Sequence, residues 1–318
     1  GPRFGMAALL AIEENDMRVL VVGGTGLIGG HAALHLAQAG HEVTIMARSP
    51  SKVPALAELP FIATHYVEDD VADGRLEGFD WLVFAAGVDI RQVPQDGSVT
   101  EEAFYTRYNT EGIPRFFAAA KAAGIKRVAY IGTFYPQVAP EKVATSPYVR
   151  SRKLADDAIR AMSDDSFAVC SLNAPFVLGH LPGLEIPHLY YNYLYAKGLM
   201  EGVPVFAPEG GTNHITSASL AEAVQGALEH GEPGRAYLVG DENLTWKAYF
   251  EMWCEGAGNP QDLEVRSDEH PLMPDMIMFA GRNATVSYAP EGVKELGYGT
   301  GRIRAEIAAI VASFEAAK

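Results

Sequence analysis

Cysteine is scarce. Cys170 and Cys254 are the two in 318 residues, too few for a disulfide framework, and they read as reduced, buried thiols. Cations are outnumbered, with 25 lysines and arginines against 40 carboxylates and a net charge of -15. Without a basic block, neither nucleic acid nor an anionic membrane is expected as a partner. No run of about 18 apolar residues occurs, so no membrane span is expected either. A Gly-x-Ser-x-Gly nucleophile elbow, a P-loop, internal repeats and low-complexity tracts are also missing. His31 and His35 have the i, i+4 spacing of a metal pair but no Glu-bearing signature or third ligand, so they read as solvated helix residues and no metal site is expected. What is present, a 48% hydrophobic composition, suits a large core. A cytoplasmic enzyme acting on a small molecule is the expectation.

The informative stretch runs from Met17 to Pro50. Val19 to Val22 reads as a buried parallel strand, Leu27 to Ala39 as a helix stopped by Gly40, and His41 to Ala47 as a second strand. Between the first strand and the helix stand Gly23, Gly26 and Gly29. The first permits the tight turn, the second clears the approach of a phosphate, and the third lets helix pack on strand. Backbone N–H groups of Gly26, Leu27 and Ile28 then face a pyrophosphate at a helix N-terminus. The tip of the second strand selects the dinucleotide. An NAD site usually places a carboxylate there; this chain has Ala47, Arg48 and Ser49, with Lys52 one turn on. Planar arginine donors suit a 2'-phosphate, which favours NADP(H). A solvated Arg48 beside a helix N-cap is the other reading, and NAD still fits it.

Strands and helices continue to alternate: Phe61 to Val67, Trp81 to Ala85, Arg127 to Gly132 and Phe167 to Leu172 as strands; Glu101 to Ala123, Tyr148 to Met162 and Ser217 to His230 as helices. The fold class implied is α/β, a doubly wound Rossmann-type parallel sheet covered on both faces. Residues 1–16 are set aside as a loose extension or an expression remnant. Residues 17–172 form the dinucleotide-binding core. Residues 173–318, richer in Pro and Gly before a final helix from Arg302 to Ala317, form mainly a small substrate-binding annex with segments returning to the core.

Several ordered motifs follow the glycine loop: Asp70-Val71; Phe84 followed by Ala85, Ala86 and Gly87; Asn109 in the next helix; Ile131-Gly-Thr133; Tyr148 four residues before Arg152; and Ala174 followed by Pro175, Phe176 and Val177. Together they resemble the extended or atypical short-chain dehydrogenases/reductases, the NAD(P)-dependent epimerase/dehydratase-like family, over nearly the whole chain from Met17. The resemblance implies an adenine contact at Asp70 and Val71 and cofactor-lining residues at Ala85, Ala86, Gly87 and Asn109. It places Pro175, Phe176 and Val177 beside the nicotinamide, Thr133 at the catalytic Ser/Thr, and Tyr148 with Arg152 at the family's Tyr-x-x-x-Lys. It also suggests a homodimer through the helices carrying Asn109 and Tyr148.

The chemistry can be stated on its own terms. A tyrosine that exchanges a proton with an alcohol or carbonyl near neutral pH needs a fixed cation beside it. Tyr148 and Arg152, four apart, share a helix face, and Thr133 at a strand tip can hold the substrate oxygen. A half-buried aromatic and a strand-end hydroxyl bonding backbone are the plain alternatives. Three departures from the family pattern stand out. Arg152 replaces lysine and offers a fork instead of a point charge, the interval from Thr133 to Tyr148 is short, and Asn173 stands where many relatives carry arginine. Lys153 points about 100° away around the helix.

Tyr190, Tyr191, Tyr193 and Tyr195, with Met273, Met276, Met278 and Phe279, suit either an apolar ligand or the annex core. His214 is read as a loop histidine near the site without a role. The expected function is an NADP-dependent reductase or dehydrogenase of a small, largely apolar or aromatic carbonyl/alcohol. A nucleotide-sugar epimerase or dehydratase and a catalytically inert NAD(P)-binding sensor are the alternatives.

Overall fold

A computed structural model describes residues 16–317; residues 1–15 of the expected N-terminal extension lie outside the described residues. In chain order the strands are β1 (Arg18–Val22), β2 (Glu42–Ala47), β3 (Phe61–Ala63), β4 (Trp81–Phe84), β5 (Arg127–Thr133) and β6 (Ala168–Ala174). They continue with β7 (Phe176–Leu178), β8 (Ala207–Pro208), β9 (Gly211–Thr216), β10 (Ala236–Leu238), β11 (Glu242–Thr245) and β12 (Val265–Arg266).

Seven strands form one sheet in the order β10-β6-β5-β4-β1-β2-β3, and every pairing within it is parallel. Alternate residues of each strand feed two cores. Val19, Val21, Ile45 and Val83 meet Ala32, Ala33 and Leu36 of the helix Leu27–Gln38 and Leu220, Val224 and Leu228 of the helix Ser217–His230. On the other face Leu20, Val22, Leu82 and Phe84 meet Phe116 and Phe117 of the helix Gly112–Ala122 and Ala155 and Ile159 of the helix Pro147–Arg160. Burial on both faces explains why these strands read as continuous apolar runs. His31 and His35 are not solvated as expected: they hydrogen-bond Ser217 Oγ at 2.8 Å and Gln225 Oε1 at 2.6 Å, joining the two helices of the first face.

The chain order reverses between β1 and β4, and a crevice opens at the carboxyl ends of strands at such a point. Over that end lies an annex built on the sheet β11-β9-β7, with a core of Leu189, Tyr193, Tyr195, Trp246, Phe250, Trp253, Ile303 and Ile307.

Two expected elements differ. β3 stops at Ala63, four residues short, because the chain turns where Asp69 Oδ2 accepts the His65 N–H. The helix expected from Glu101 to Ala123 is interrupted by a π-helix at Thr106–Glu111. Pro114 lacks the N–H that Thr110 would otherwise bond, and the wider turn accommodates its ring. Among the described residues no helix is long and apolar enough to cross a membrane.

Candidate active site

β1 ends in a turn whose first residue only glycine fits. Gly23 has φ +80°, and a Cβ there would stand 2.5 Å from the Ala85 carbonyl oxygen at the end of β4. A Cβ on Gly29 would collide with the Gly23 carbonyl, so helix and strand touch backbone to backbone. Gly26 is different: a Cβ there would have 3.7 Å to the Gly23 oxygen. Its side is open, at the N-cap of the helix Leu27–Gln38, where unbonded N–H groups gather. The opening suits a close phosphate; side-chain packing does not call for it.

Two cavities meet at Gly87. The first, about 620 Å³, is bordered by Gly23, Thr25, Arg48, Ser49, Ala86 and, on the far wall, Thr64, His65 and Tyr66. Arg48 is exposed and has no ion pair among the described residues. The second, about 510 Å³, contains Ile28, Ala85, Thr133, Tyr148, Arg152, Pro175, Phe176 and Val177, with aromatic and aliphatic walls from Trp246, Tyr249, Leu272, Met273, Ile277 and Phe279. A glycine turn, open helix N–H groups and an unpaired arginine at the strand tip fit a dinucleotide diphosphate and ribose.

Within the second cavity Arg152 Nη1 donates to Tyr148 Oη at 3.3 Å, while Nη2 donates to the Ile131 carbonyl at 3.0 Å. The fork that distinguishes arginine from lysine is therefore divided between the phenol and the backbone of β5. Its terminal atoms press on Gly87, where a Cβ would lie 3.1 Å from Nη1. Burial opposes the Arg152 charge, yet Tyr130 and Tyr148 beside it hold the guanidinium protonated above the usual arginine range. Tyr148 is fixed by rings, Phe279 at 4.5 Å and Tyr105 at 5.4 Å between centroids. The short Thr133–Tyr148 interval folds as two single-turn helices, and Tyr135 from the first borders the cavity. Asp89 and Arg91 on the rim pair at 2.7 Å; burial disfavours the Asp89 carboxylate, but Arg91 holds it below its usual range.

Some expected residues stand elsewhere. Asp70 is exposed and its carboxylate accepts the Ala72 N–H, while Val71 is buried in the core; neither borders the cleft. Thr64, His65 and Tyr66 occupy that wall because β3 ends early. Asn109 is fully buried, its amide oxygen taking the Val88 N–H at 3.1 Å and its amide nitrogen donating at 3.1 Å to the Val88 carbonyl and to Ser151 Oγ. It braces the chain after β4 against the Tyr148 helix and does not border the cleft. Lys52 is exposed and does not border it either. Asn173, also buried, donates to Gln137 and Asp156.

The tyrosine cluster is likewise redistributed. Tyr193 and Tyr195 pack the annex core, Tyr190 and Tyr191 are exposed, and His188, Leu189 and Asn192 of the same helix border the cavity. His214 lies on β9, not in a loop. Its cavity neighbours Trp246, Tyr249 and Tyr135 were out of reach of motif reasoning, since nothing in the local sequence marks these residues as adjacent.

A model of the NAD dependent epimerase/dehydratase family matches residues 19–240. The chain belongs to this family. The family is NAD-dependent, and this chain is an oxidoreductase-type enzyme within it; the redox-inert sensor reading gives way. It is similar to a UDP-glucose 4-epimerase of Streptomyces lividans, 26% identical with 94% of this chain and 95% of that protein covered. It is also similar to a 3 beta-hydroxysteroid dehydrogenase/Delta 5-->4-isomerase of Mycobacterium tuberculosis, 22% identical over 70% of this chain and 65% of the relative. The solved Bordetella bronchiseptica enzyme WbmH in complex with NAD+ shares the fold, with a TM-score of 0.72, 19% identity, and 95% and 100% of the two chains covered. Among the described residues no group of three or more His, Cys, Asp or Glu could hold a metal ion.

Proposed function

We propose that this chain is an NADP(H)-dependent reductase or dehydrogenase of a small, largely apolar or aromatic carbonyl/alcohol pair. The observation that carries the reading is the Tyr148 hydroxyl, bonded by Arg152, facing a cavity with aromatic and aliphatic walls. Gly23, Gly26, Leu27, Ile28, Gly87 and Arg48 would hold the dinucleotide, and the nicotinamide supplies the hydride.

Tyr148 donates its hydroxyl proton to the substrate oxygen as the carbonyl carbon is reduced, and Thr133 orients that oxygen through its own hydroxyl. Arg152 remains charged throughout and stabilises the phenolate left behind, which recovers its proton from solvent. In the alcohol-to-carbonyl direction Tyr148 takes the proton instead. The apolar wall excludes water from the reacting carbon.

Arg48 supports NADP over NAD: an exposed guanidinium at the tip of β2, with no carboxylate partner among the described residues, favours a 2'-phosphate and imposes no repulsion on it. The test is titration of the protein with NADPH and NADH, followed by a panel of aryl and alkyl ketones read at the nicotinamide absorbance. Tighter NADPH binding and its consumption with a ketone are expected; consumption of neither across the panel overturns the reading.

The similarity to a UDP-glucose 4-epimerase favours a second reading, sugar epimerisation with the cofactor regenerated in each cycle. The paired state of Arg91 with Asp89 and the division of Arg152 between Tyr148 and Ile131 weigh against it, since a sugar nucleotide needs free cations for its diphosphate. Tightly bound NAD in the purified protein, with no net use of added NADPH, would favour it.

A further inference from the structure

Two buried side chains on the substrate half of the cleft carry polar atoms with nothing to bond. His214 on β9 is 1% exposed, and beyond an approach of the Thr212 backbone to its ring neither nitrogen has a hydrogen-bond partner among the described residues. Trp246, also 1% exposed, has an unpartnered Nε1–H. Both border the cavity that holds Tyr148. Register sets His214 opposite Phe176 of β7, and their rings lie 5.9 Å apart. Tyr249 stacks on the imidazole at 4.5 Å and 15°, and Trp246 meets it edge-on at 5.5 Å and 86°. The Tyr249 hydroxyl is engaged by Asn192 at 3.2 Å.

Buried polar groups in folded proteins are nearly always paired, because desolvation is otherwise uncompensated. Two neighbouring exceptions on one cavity wall point to a partner that arrives with the ligand. Burial pushes the His214 imidazole down to about 3, against the opposing effect of the Thr212 backbone, so the ring stays neutral with one N–H and one lone pair. Trp246 adds a second donor. Among the described residues the arginines bordering this cavity are engaged, Arg91 by Asp89 and Arg152 by Tyr148 and Ile131, so a carboxylate or phosphate there would be uncompensated, whereas a hydroxyl or carbonyl meets its donors and acceptor without charge.

Resting on the carbonyl/alcohol reading above, we propose that His214 and Trp246 recognise a second, uncharged hydrogen-bonding group, a hydroxyl or carbonyl, carried by the apolar body of the substrate and distinct from the oxygen at Tyr148. The substrate class is thereby narrowed from apolar ketones or alcohols to bifunctional, uncharged ones. His214 is a specificity residue and takes no part in proton transfer.

The test uses a matched pair, 4-phenylbutan-2-one and 4-(4-hydroxyphenyl)butan-2-one, titrated calorimetrically into the NADP+-saturated protein. One added hydrogen bond to a buried group corresponds to about tenfold tighter binding of the hydroxylated ketone. In His214→Phe, which keeps the ring stack and removes both nitrogens, that preference should fall to about twofold or less while NADP+ affinity is unchanged. Should that variant not fold, the imidazole nitrogen resonances of 15N-histidine-labelled wild type give the same answer: His214 shifts with the hydroxylated ketone and not with its parent. Equal binding of the pair by wild type, a preference retained in His214→Phe, an unmoved His214 resonance, or no binding of either ketone at millimolar concentration overturns the proposal. Turnover read in parallel separates the two claims. A preference without turnover removes the redox reading and leaves the recognition site, and turnover without a preference does the reverse.

Discussion

Gly23, Gly26, Gly29, Arg48 and Ser49, around the dinucleotide half of the cleft, all come from one strand-helix-strand unit. The substrate half draws Thr133 from β5, Tyr148 and Arg152 from a helix, Phe176 from β7, His214 from β9, and Trp246, Met273 and Phe279 from later segments. A binding element made from contiguous backbone needs particular residues at fixed spacing, so it leaves a motif. A wall assembled from distant side chains needs only that each be apolar and of suitable size, and such requirements are met by many sequences. Similar proteins are named for quite different compounds, a UDP-sugar in one name and a steroid in another.

The sharpest way to separate the halves is Tyr148→Phe. Loss of a positioned general acid lowers turnover by about 10²- to 10⁴-fold, and NADPH affinity measured by fluorescence titration should stay as it was. Normal turnover would remove Tyr148 from the chemistry.

Next in size is a pair of glycine variants within the other half. Gly29→Ala forces a Cβ onto the Gly23 carbonyl, with an overpacking cost of about 1–3 kcal/mol and a lowered Tm. Gly26→Ala has room for its Cβ, so its Tm should fall far less while dinucleotide affinity falls. Equal Tm losses in the two would break the distinction between a packing glycine and a ligand-facing one.

Asn109→Ala probes the seam between the halves. Removing the amide leaves the half-buried Val88 N–H and C=O without their partner, while Ser151 keeps its bond to the Tyr148 carbonyl; the cost is about 1–3 kcal/mol in chemical denaturation, and an unchanged midpoint would mean that Val88 finds another partner. The smallest effect is Arg48→Ala. NADPH should weaken about tenfold at low salt and NADH little, and equal weakening of both would refute a contact with the 2'-phosphate.

The opening β-α-β unit and the alternation of strands and helices were legible because hydrophobic period and glycine spacing are local properties. The Tyr148–Arg152 pair was legible too, since an i, i+4 interval fixes a shared helix face. What misled was also local in form. Asp70-Val71 sits at the right distance after a strand, but β3 ends at Ala63 and the turn closed by Asp69 carries the wall forward to Thr64, His65 and Tyr66. Asn109 sits in the expected helix, but the π-turn before Pro114 aims it at Val88 and Ser151. The tyrosines of Pro187–Lys197 could not be divided into core and surface without knowing which way that helix docks.

By itself, then, the sequence determined a parallel doubly wound sheet, a glycine turn for a dinucleotide and a tyrosine with a cation one helical turn away. Each follows from rules that act over a few residues. The tertiary structure decided how Arg152 divides its fork, which residues wall the substrate cavity and that His214 and Trp246 stand together with unbonded nitrogens. Those facts depend on where distant segments cross, and crossing is set by packing the whole chain at once.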